Sequence, residues 1–292
     1  MSKYENMLTS GMKITRASDD PVVAVKGMNY RVQLDKLGQY QRNINEADAW
    51  LDTTDTSLDQ VGNVLNRVKE LIVQAANDTN TSEERQKIQK EIDQIREQVR
   101  DVANTQLGGK YIFSGTKTQT ATFVNGQINP ALVKDATTVP PTLNAGATGK
   151  VEIEVFDGIT LPVNTLGAPE MFWKIDDFLN DVSTALGDAT STGSQIGDFL
   201  GSIANGTDST LADMQANVLN VRADVGARMN RVELMKNRLD IQEISTTKQM
   251  SLNEDTDYAE TITKMTTQES IHQAALSVGA KIIQQTLVDF IR

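Results

Sequence analysis

Between Ile44 and Ala75 the chain reads "INEADAWLDTTDTSLDQVGNVLNRVKELIVQA", and its apolar residues recur at alternating steps of three and four. Ile44, Ala47, Leu51, Leu58, Val61, Leu65, Val68, Ile72 and Ala75 keep the rhythm, with Thr54 as the only interruption. This is the heptad seam of coiled-coil-like packing, held for more than four repeats. Upstream, no proline intervenes until Pro21. In "SDDP" (residues 18–21) Asp20 is placed to cap the exposed N–H groups, and Pro21 takes the first helical position, where its missing donor costs nothing. A helix over residues 21–77 is predicted, roughly 85 Å long at about 1.5 Å per residue, with Gly38 and Gly62 as points of bending.

Downstream, "NDTNT" (residues 77–81) breaks the helix, and Thr81 with Glu84 makes a capping box for the next one. Ile88, Ile92, Ile95, Val99 and Val102 continue the four–three spacing. Gly108–Gly109 is expected to end this helix, glycine being the residue suited to a left-handed C-terminal turn. The resulting antiparallel hairpin must bury its stripes on something else. A second proline-free run supplies it: Leu211, Met214, Val218, Val221, Val225, Val232, Met235 and Leu239 keep the same steps, with Arg228 as the charged member.

Proline disrupts helix interiors by about 3 kcal/mol, so the other prolines mark where long helices end. Pro130, Pro140, Pro141 and Pro162 lie in the middle, and Pro169 stands at its far edge. There the pattern changes to period two. Val151, Ile153 and Val155 alternate, Asp157–Gly158 turns the chain, and Ile159, Leu161 and Val163 alternate again. "ATFVNGQI", turning at Asn125–Gly126, is a second hairpin. Two shorter helices are expected at residues 169–186 (Met171, Phe172, Ile175, Phe178, Leu179 and Val182 inward) and 194–204. The fold class is therefore α+β: a long antiparallel coiled-coil-like bundle from both chain ends, with an inserted β-rich domain. The expected boundaries are 1–107 with 206–251 for the helical rod, 108–205 for the insert and 252–292 for a terminal helix.

The 292 residues carry 39 acids against 28 bases, a net charge of −11. That balance opposes nucleic-acid binding and docking on anionic lipid. No apolar run is long enough to cross a membrane as a helix, and no cleaved secretory signal is visible. The chain has no cysteine, which excludes disulfides, thiolate metal sites and a cysteine nucleophile. Its single histidine, His272, rules out a histidine metal cluster and reads as a polar position on an amphipathic helix. No EF-hand spacing, phosphate-cradling glycine loop or HExxH occurs, so no catalytic residue, metal or cofactor is expected. Asp48, Asp52, Asp55 and Asp59 line one helix face, either as a solvated stripe or as a seat for a basic neighbour or a cation. Arg228 either sets register or meets a carboxylate on another helix, or it snorkels outward while Met229 points in. Met7, Met12, Met28, Met214, Met229, Met235, Met250 and Met265 read either as adaptable packing between subunits or, for most, as ordinary core filling. The Asn77, Asn80 and Asn205 glycosylation patterns read as capping and turn residues.

Three passages carry a resemblance. "LTSGMKITRASDDPVVAV" (residues 8–25), with Ser18, Asp19, Asp20 and Pro21, resembles the N-terminal signature of the flagellin superfamily. "LGGKYIFSGTKT" (residues 107–118), with Gly108, Gly109, Tyr111, Phe113 and Gly115, is similar to the entry into the variable domain in the hook-associated protein 3 family. Residues 258–292 resemble the superfamily's terminal helix, and their "LVDFIR" ending differs from the usual filament tail. The resemblance implies a non-enzymatic adaptor of the bacterial flagellum, outside the cell at the hook–filament junction. Its implied partners are hook-associated protein 1, flagellin, further copies in a ring, and an export chaperone with the flagellar type III export apparatus. Family members carry further residues ahead of this signature, so a truncated N-terminus is expected, leaving the terminal helix without its usual partner. Ile262, Met265, Leu276, Ile283 and Phe290 are then the assembly face of that helix. A filament flagellin is the nearest alternative, and an intracellular coiled-coil scaffold a more distant one.

Overall fold

Eight α-helices and eight short strands form among the described residues, which in this computed structural model are 2–77, 80–135, 141–188, 190–201 and 210–289, with side chains described up to Lys281 in the last helix. The helices are α1 (Ser2–Ser10), α2 (Pro21–Ala75), α3 (Ser82–Ala103), α4 (Ala145–Thr148), α5 (Ala168–Gly187), α6 (Gly193–Asp198), α7 (Leu211–Glu254) and α8 (Tyr258–Asp289). The strands are β1 (Gln106–Leu107), β2 (Lys110–Tyr111), β3 (Phe123–Val124), β4 (Gln127–Ile128), β5 (Val133–Asp135), β6 (Thr142–Leu143), β7 (Glu152–Phe156) and β8 (Ile159–Pro162). They pair into four separate two-stranded antiparallel sheets.

Local chemistry accounts for the helix ends. Asp20 Oδ1 accepts from the backbone N–H groups of Val22 (3.0 Å) and Val23 (3.1 Å), and Pro21 opens α2. α2 then runs 55 residues, passing Gly38 and Gly62 without a break. At α3 the Thr81 hydroxyl accepts from Glu84 N while a Glu84 carboxylate oxygen accepts from Thr81 N at 2.7 Å, a reciprocal box. α1 has no counterpart in the sequence reading, because nine residues carry too little periodicity to register.

Two sequence expectations need correction. Gly108–Gly109 does not end α3, which stops at Ala103 with Asn104 as its cap. Asn104 is held there by Phe123: its Nδ2 donates to Phe123 O and its Oδ1 accepts from Phe123 N, both at 2.9 Å. The two glycines, at φ of 57° and 79°, instead make the two-residue turn between β1 and β2. Consecutive left-handed residues suit a tight hairpin as well as a helix terminus. The helix expected over 194–204 is the shorter α6, and residues 202–209 lie outside the described ones. The two predicted hairpins form as β3–β4 and β7–β8. Asn125 and Gly126 both take positive φ (51° and 77°), as a type I′ turn demands.

The chain divides into two units, one of residues 1–39 with 238–292, the other of residues 40–237. Each unit therefore draws on both halves of the sequence. The division differs from the expected boundaries in two ways: the insert joins the rod segment, since its α5 packs along α3, and residues 1–39 and 238–251 fall with the terminal helix. Ile88, Ile92, Ile95, Val99 and Val102 of α3 and Met171, Phe172, Ile175, Phe178, Leu179, Val182 and Leu186 of α5 are all buried. In α2 the seam residues Ile44, Leu51, Leu58, Val61, Leu65, Val68 and Ile72 are buried, and a further row, Trp50, Ser57, Val64 and Leu71, is buried beside them at steps of seven. Thr54 sits inside this core because its hydroxyl donates to Trp50 O at 2.8 Å. In α7, Leu211, Met214, Val218, Val225, Val232 and Leu239 are buried, while Val221 and Met235 are half-buried. Polar contacts tie the second unit's helices together: Arg67 of α2 meets Glu91 of α3 (2.8 Å), and Gln215 of α7 donates to Asn66 of α2 (2.9 Å).

Deleting buried methyl groups removes transfer energy and leaves a cavity. Leu58→Ala, at a fully buried position, is therefore expected to cost about 2–5 kcal/mol in urea unfolding. Val73→Ala, 55% exposed on the same helix, should stay within about 0.5 kcal/mol of the parent.

Candidate assembly surfaces

The "ASDDP" passage is a turn built around one carboxylate. Asp19 Oδ2 accepts from Arg16 N (3.0 Å), Thr15 N (3.2 Å) and the Thr15 hydroxyl (3.4 Å). These bonds, Arg16 N first, hold its carboxyl below the usual aspartate range. Ser18 sits in the turn, Asp19 closes it, and Asp20 with Pro21 launches α2.

The "GGKYIFSG" passage packs on α5 inside the second unit. Phe113 is fully buried and meets Phe172 of α5 edge-on, with centroids 4.8 Å apart. Tyr111 N donates to Thr118 O at 2.7 Å. Gly115 has φ of 65°, and a Cβ there would lie 2.4 Å from Ala147 O. Only glycine meets both conditions.

Charged residues fasten the same unit. Arg96 Nε and Nη2 donate to Asp176 Oδ1 (2.9 Å) and Oδ2 (3.0 Å), and Arg100 Nε and Nη2 reach the same oxygens at 2.7 and 3.2 Å. One buried carboxylate of α5 thus receives two guanidinium forks from α3. Arg228 meets a carboxylate on its own helix rather than on another as expected. Its Nη1 donates to Asn164 O (2.8 Å) and Pro162 O (3.3 Å) beside β8, and its Nη2 pairs with Asp224 one turn back on α7. Within the acidic stripe, Arg222 of α7 bridges Asp55 (3.0 Å) and Asp59 (2.7 Å), whereas Asp48 is half-buried and Asp52 exposed. Among the described residues no group of three or more His, Asp or Glu is placed to hold a metal ion, and no helix is long and apolar enough to cross a membrane. Sequence reading missed Asp176, Arg96 and Arg100. An acid within a strongly apolar helix and a cationic i, i+4 pair on an amphipathic one were the available signals.

The first unit exposes apolar side chains. On α8, Ile262 is 49% and Leu276 61% exposed, Ile271 and Val278 are exposed as well, and Met265 is half-buried. The Ile283 side chain and Phe290 lie outside the description. On α7, Ile241, Ile244 and Leu252 are exposed, as are Val22, Val25, Met28 and Val32 on α2. The terminal helix, expected to lack a partner, has α1 lying against it. His272 is exposed.

Residues 1–118 match the model of the bacterial flagellin N-terminal helical region, and residues 206–291 that of the bacterial flagellin C-terminal helical region. The flagellar hook-associated protein 3 of Escherichia coli is 26% identical over 94% of this chain and 87% of its own length. The flagellar filament 30.7 kDa core protein of Treponema maltophilum is 26% identical over 94% and 85%. The crystal structure of Bacillus cereus FlgL superposes with a TM-score of 0.60 at 24% identity, covering 76% of this chain and 99% of that one.

Two substitutions in the α3–α5 contact are informative. Asp176→Ala removes the carboxylate that two guanidinium groups share, leaving Arg100 with Glu97 and Arg96 with Asn180, and is expected to cost about 3 kcal/mol in chemical denaturation. Asp177 behaves oppositely: burial, then the charges of Asp181 and Asp176, raise its carboxyl above the ordinary value of 3.8. The folded state then holds its proton more tightly than the unfolded chain, so ionisation opposes folding as pH rises through that raised value. Asp177→Asn should stabilise the protein at neutral pH, with the gain vanishing once pH falls below about 3.8.

Proposed function

The chain belongs to the bacterial flagellin family, and from that premise we propose that it is the structural adaptor joining the flagellar hook to the flagellin filament. The observation that carries this reading is the near end-to-end likeness to hook-associated protein 3, which takes in the insert as well as both helical ends. Proteins of this family are structural parts of the flagellum, and the adaptor acts by shape rather than by chemistry. On this proposal one face of a ring of copies meets hook-associated protein 1 and the other the first flagellin subunits. The subunit reaches that place unfolded, delivered by an export chaperone to the flagellar type III apparatus. A chain free of cysteine suits such a route, because no disulfide can form before threading. The exposed apolar residues of α8 and of the flanking stretches of α2 and α7 supply what assembly covers. Exposed apolar side chains in this number are what an interaction site would cover.

A second reading, a filament subunit, is favoured by the equally long likeness to the Treponema filament core protein. A deletion strain separates them. For the adaptor, the strain should build hooks, carry no filaments and shed monomeric flagellin into the medium. Normal filaments would refute the adaptor, and bald hooks without any shed flagellin would favour the filament subunit.

Assembly should also change α8 measurably. Amides of residues 262–281 are expected to exchange rapidly in dilute monomer and at least tenfold more slowly in purified hook–filament junctions. Equal protection in both would remove α8 from the assembly surface.

A further inference from the structure

The break between α7 and α8, residues 255–257, is held from two sides. On one side runs the segment after α1. Thr256 N donates to Gly11 O (2.9 Å), Lys13 N donates to Glu254 O (2.6 Å), and Met12 pairs antiparallel with Asp255. Lys13 Nζ adds a bond to Leu252 O at 3.1 Å, satisfying one of the last carbonyls of α7. On the other side lie the first turns of α2, where Asn253 Nδ2 donates to Val23 O at 3.0 Å.

Between them the side chain of Glu254 is 8% exposed, an unusual place for a carboxylate. A Cβ added at Gly27 would lie 1.6 Å from Glu254 Oε1 and 2.7 Å from its Cδ. The missing side chain of Gly27 is the socket that Glu254 fills. Glycine there weakens α2 relative to alanine, so the position carries a local cost that the socket explains. One turn further, Arg31 Nη2 donates to Glu254 Oε2 at 2.6 Å. Arg31 is 54% exposed, so the ion pair by itself contributes little. The specificity comes from the fit. Three or four residues away along α2 stand Ala24, Val23, Tyr30 and Arg31, each with a Cβ where the carboxylate would need space.

We infer that Glu254, Gly27 and Arg31 form a register lock that seats the α7–α8 break on α2, and that withdrawing the Glu254 side chain frees the break and the leading turns of α8. Its mechanism is steric complementarity closed by one charge-assisted bond. The lock acts as a hinge control: while it is engaged, α8 leaves α7 in a single direction.

Hydrogen exchange followed by mass spectrometry on the full chain tests this with four proteins: parent, Gly27→Ala, Glu254→Ala and the double variant. Gly27→Ala and Glu254→Ala should each raise exchange across residues 252–261 at least tenfold, leaving residues 88–102 of α3 unchanged. In the Glu254→Ala background, adding Gly27→Ala should change exchange less than twofold, since the socket has lost its occupant. Unchanged exchange in Gly27→Ala would overturn the proposal. So would an undiminished Gly27→Ala effect in the double variant, or a rise in α3 of the same size.

Discussion

A long helix is held in water by what covers it, and α2 is covered on a broad face between Ile44 and Ala75. Two heptad rows alone would satisfy a single partner. The third row, Trp50, Ser57, Val64 and Leu71, widens the buried stripe beyond what one neighbouring helix can shield. α2 therefore requires neighbours from distant parts of the chain. α3 follows it through a short break, and α7 returns more than a hundred residues later, fastened by Gln215 to Asn66 and by Arg222 to Asp55 and Asp59. The insert between them is tolerated because the ends it interrupts are gathered by this burial.

The same constraint explains why the insert is no separate body. Four two-stranded ribbons are too small to enclose a core of their own. They depend on the helices instead: Phe113 packs on Phe172, Asn104 exchanges two bonds with Phe123, and Arg228 gathers the carbonyls of Pro162 and Asn164. α5 completes the arrangement by burying its apolar face on α3 around Asp176.

Periodicity made the long helices readable, and capping chemistry made their starts readable, since Asp20, Pro21, Thr81 and Glu84 act within a few residues of one another. The β3–β4 and β7–β8 hairpins were readable for the same reason: Asn125–Gly126 and Asp157–Gly158 are local signals. Gly108–Gly109 was misread because one backbone conformation serves two structures, a helix terminus and a hairpin turn. α5 was foreseen as a helix, yet its place on α3 was not, because an apolar face does not say which stripe it meets. Asp176 and Glu254 were invisible for a related reason. Their partners lie 76 and 223 residues away, and nothing in local spacing announces them. The "ASDDP" passage is a turn that launches α2, and "GGKYIFSG" forms a strand end and a glycine turn packed on α5, features that local chemistry explains.

A heptad seam has a weakness that these polar contacts remedy. Sliding one helix by seven residues, about 10 Å at 1.5 Å per residue, restores nearly the same apolar pattern. Burial therefore selects which faces meet but discriminates weakly among axial shifts. A buried carboxylate has no such tolerance, because a shift leaves it facing apolar side chains at a cost of several kcal/mol. Asp176 between Arg96 and Arg100, and Glu254 in the notch at Gly27, are buried carboxylates of this kind. Apolar rows supply the cohesion, and isolated charges turn a repetitive pattern into a single alignment.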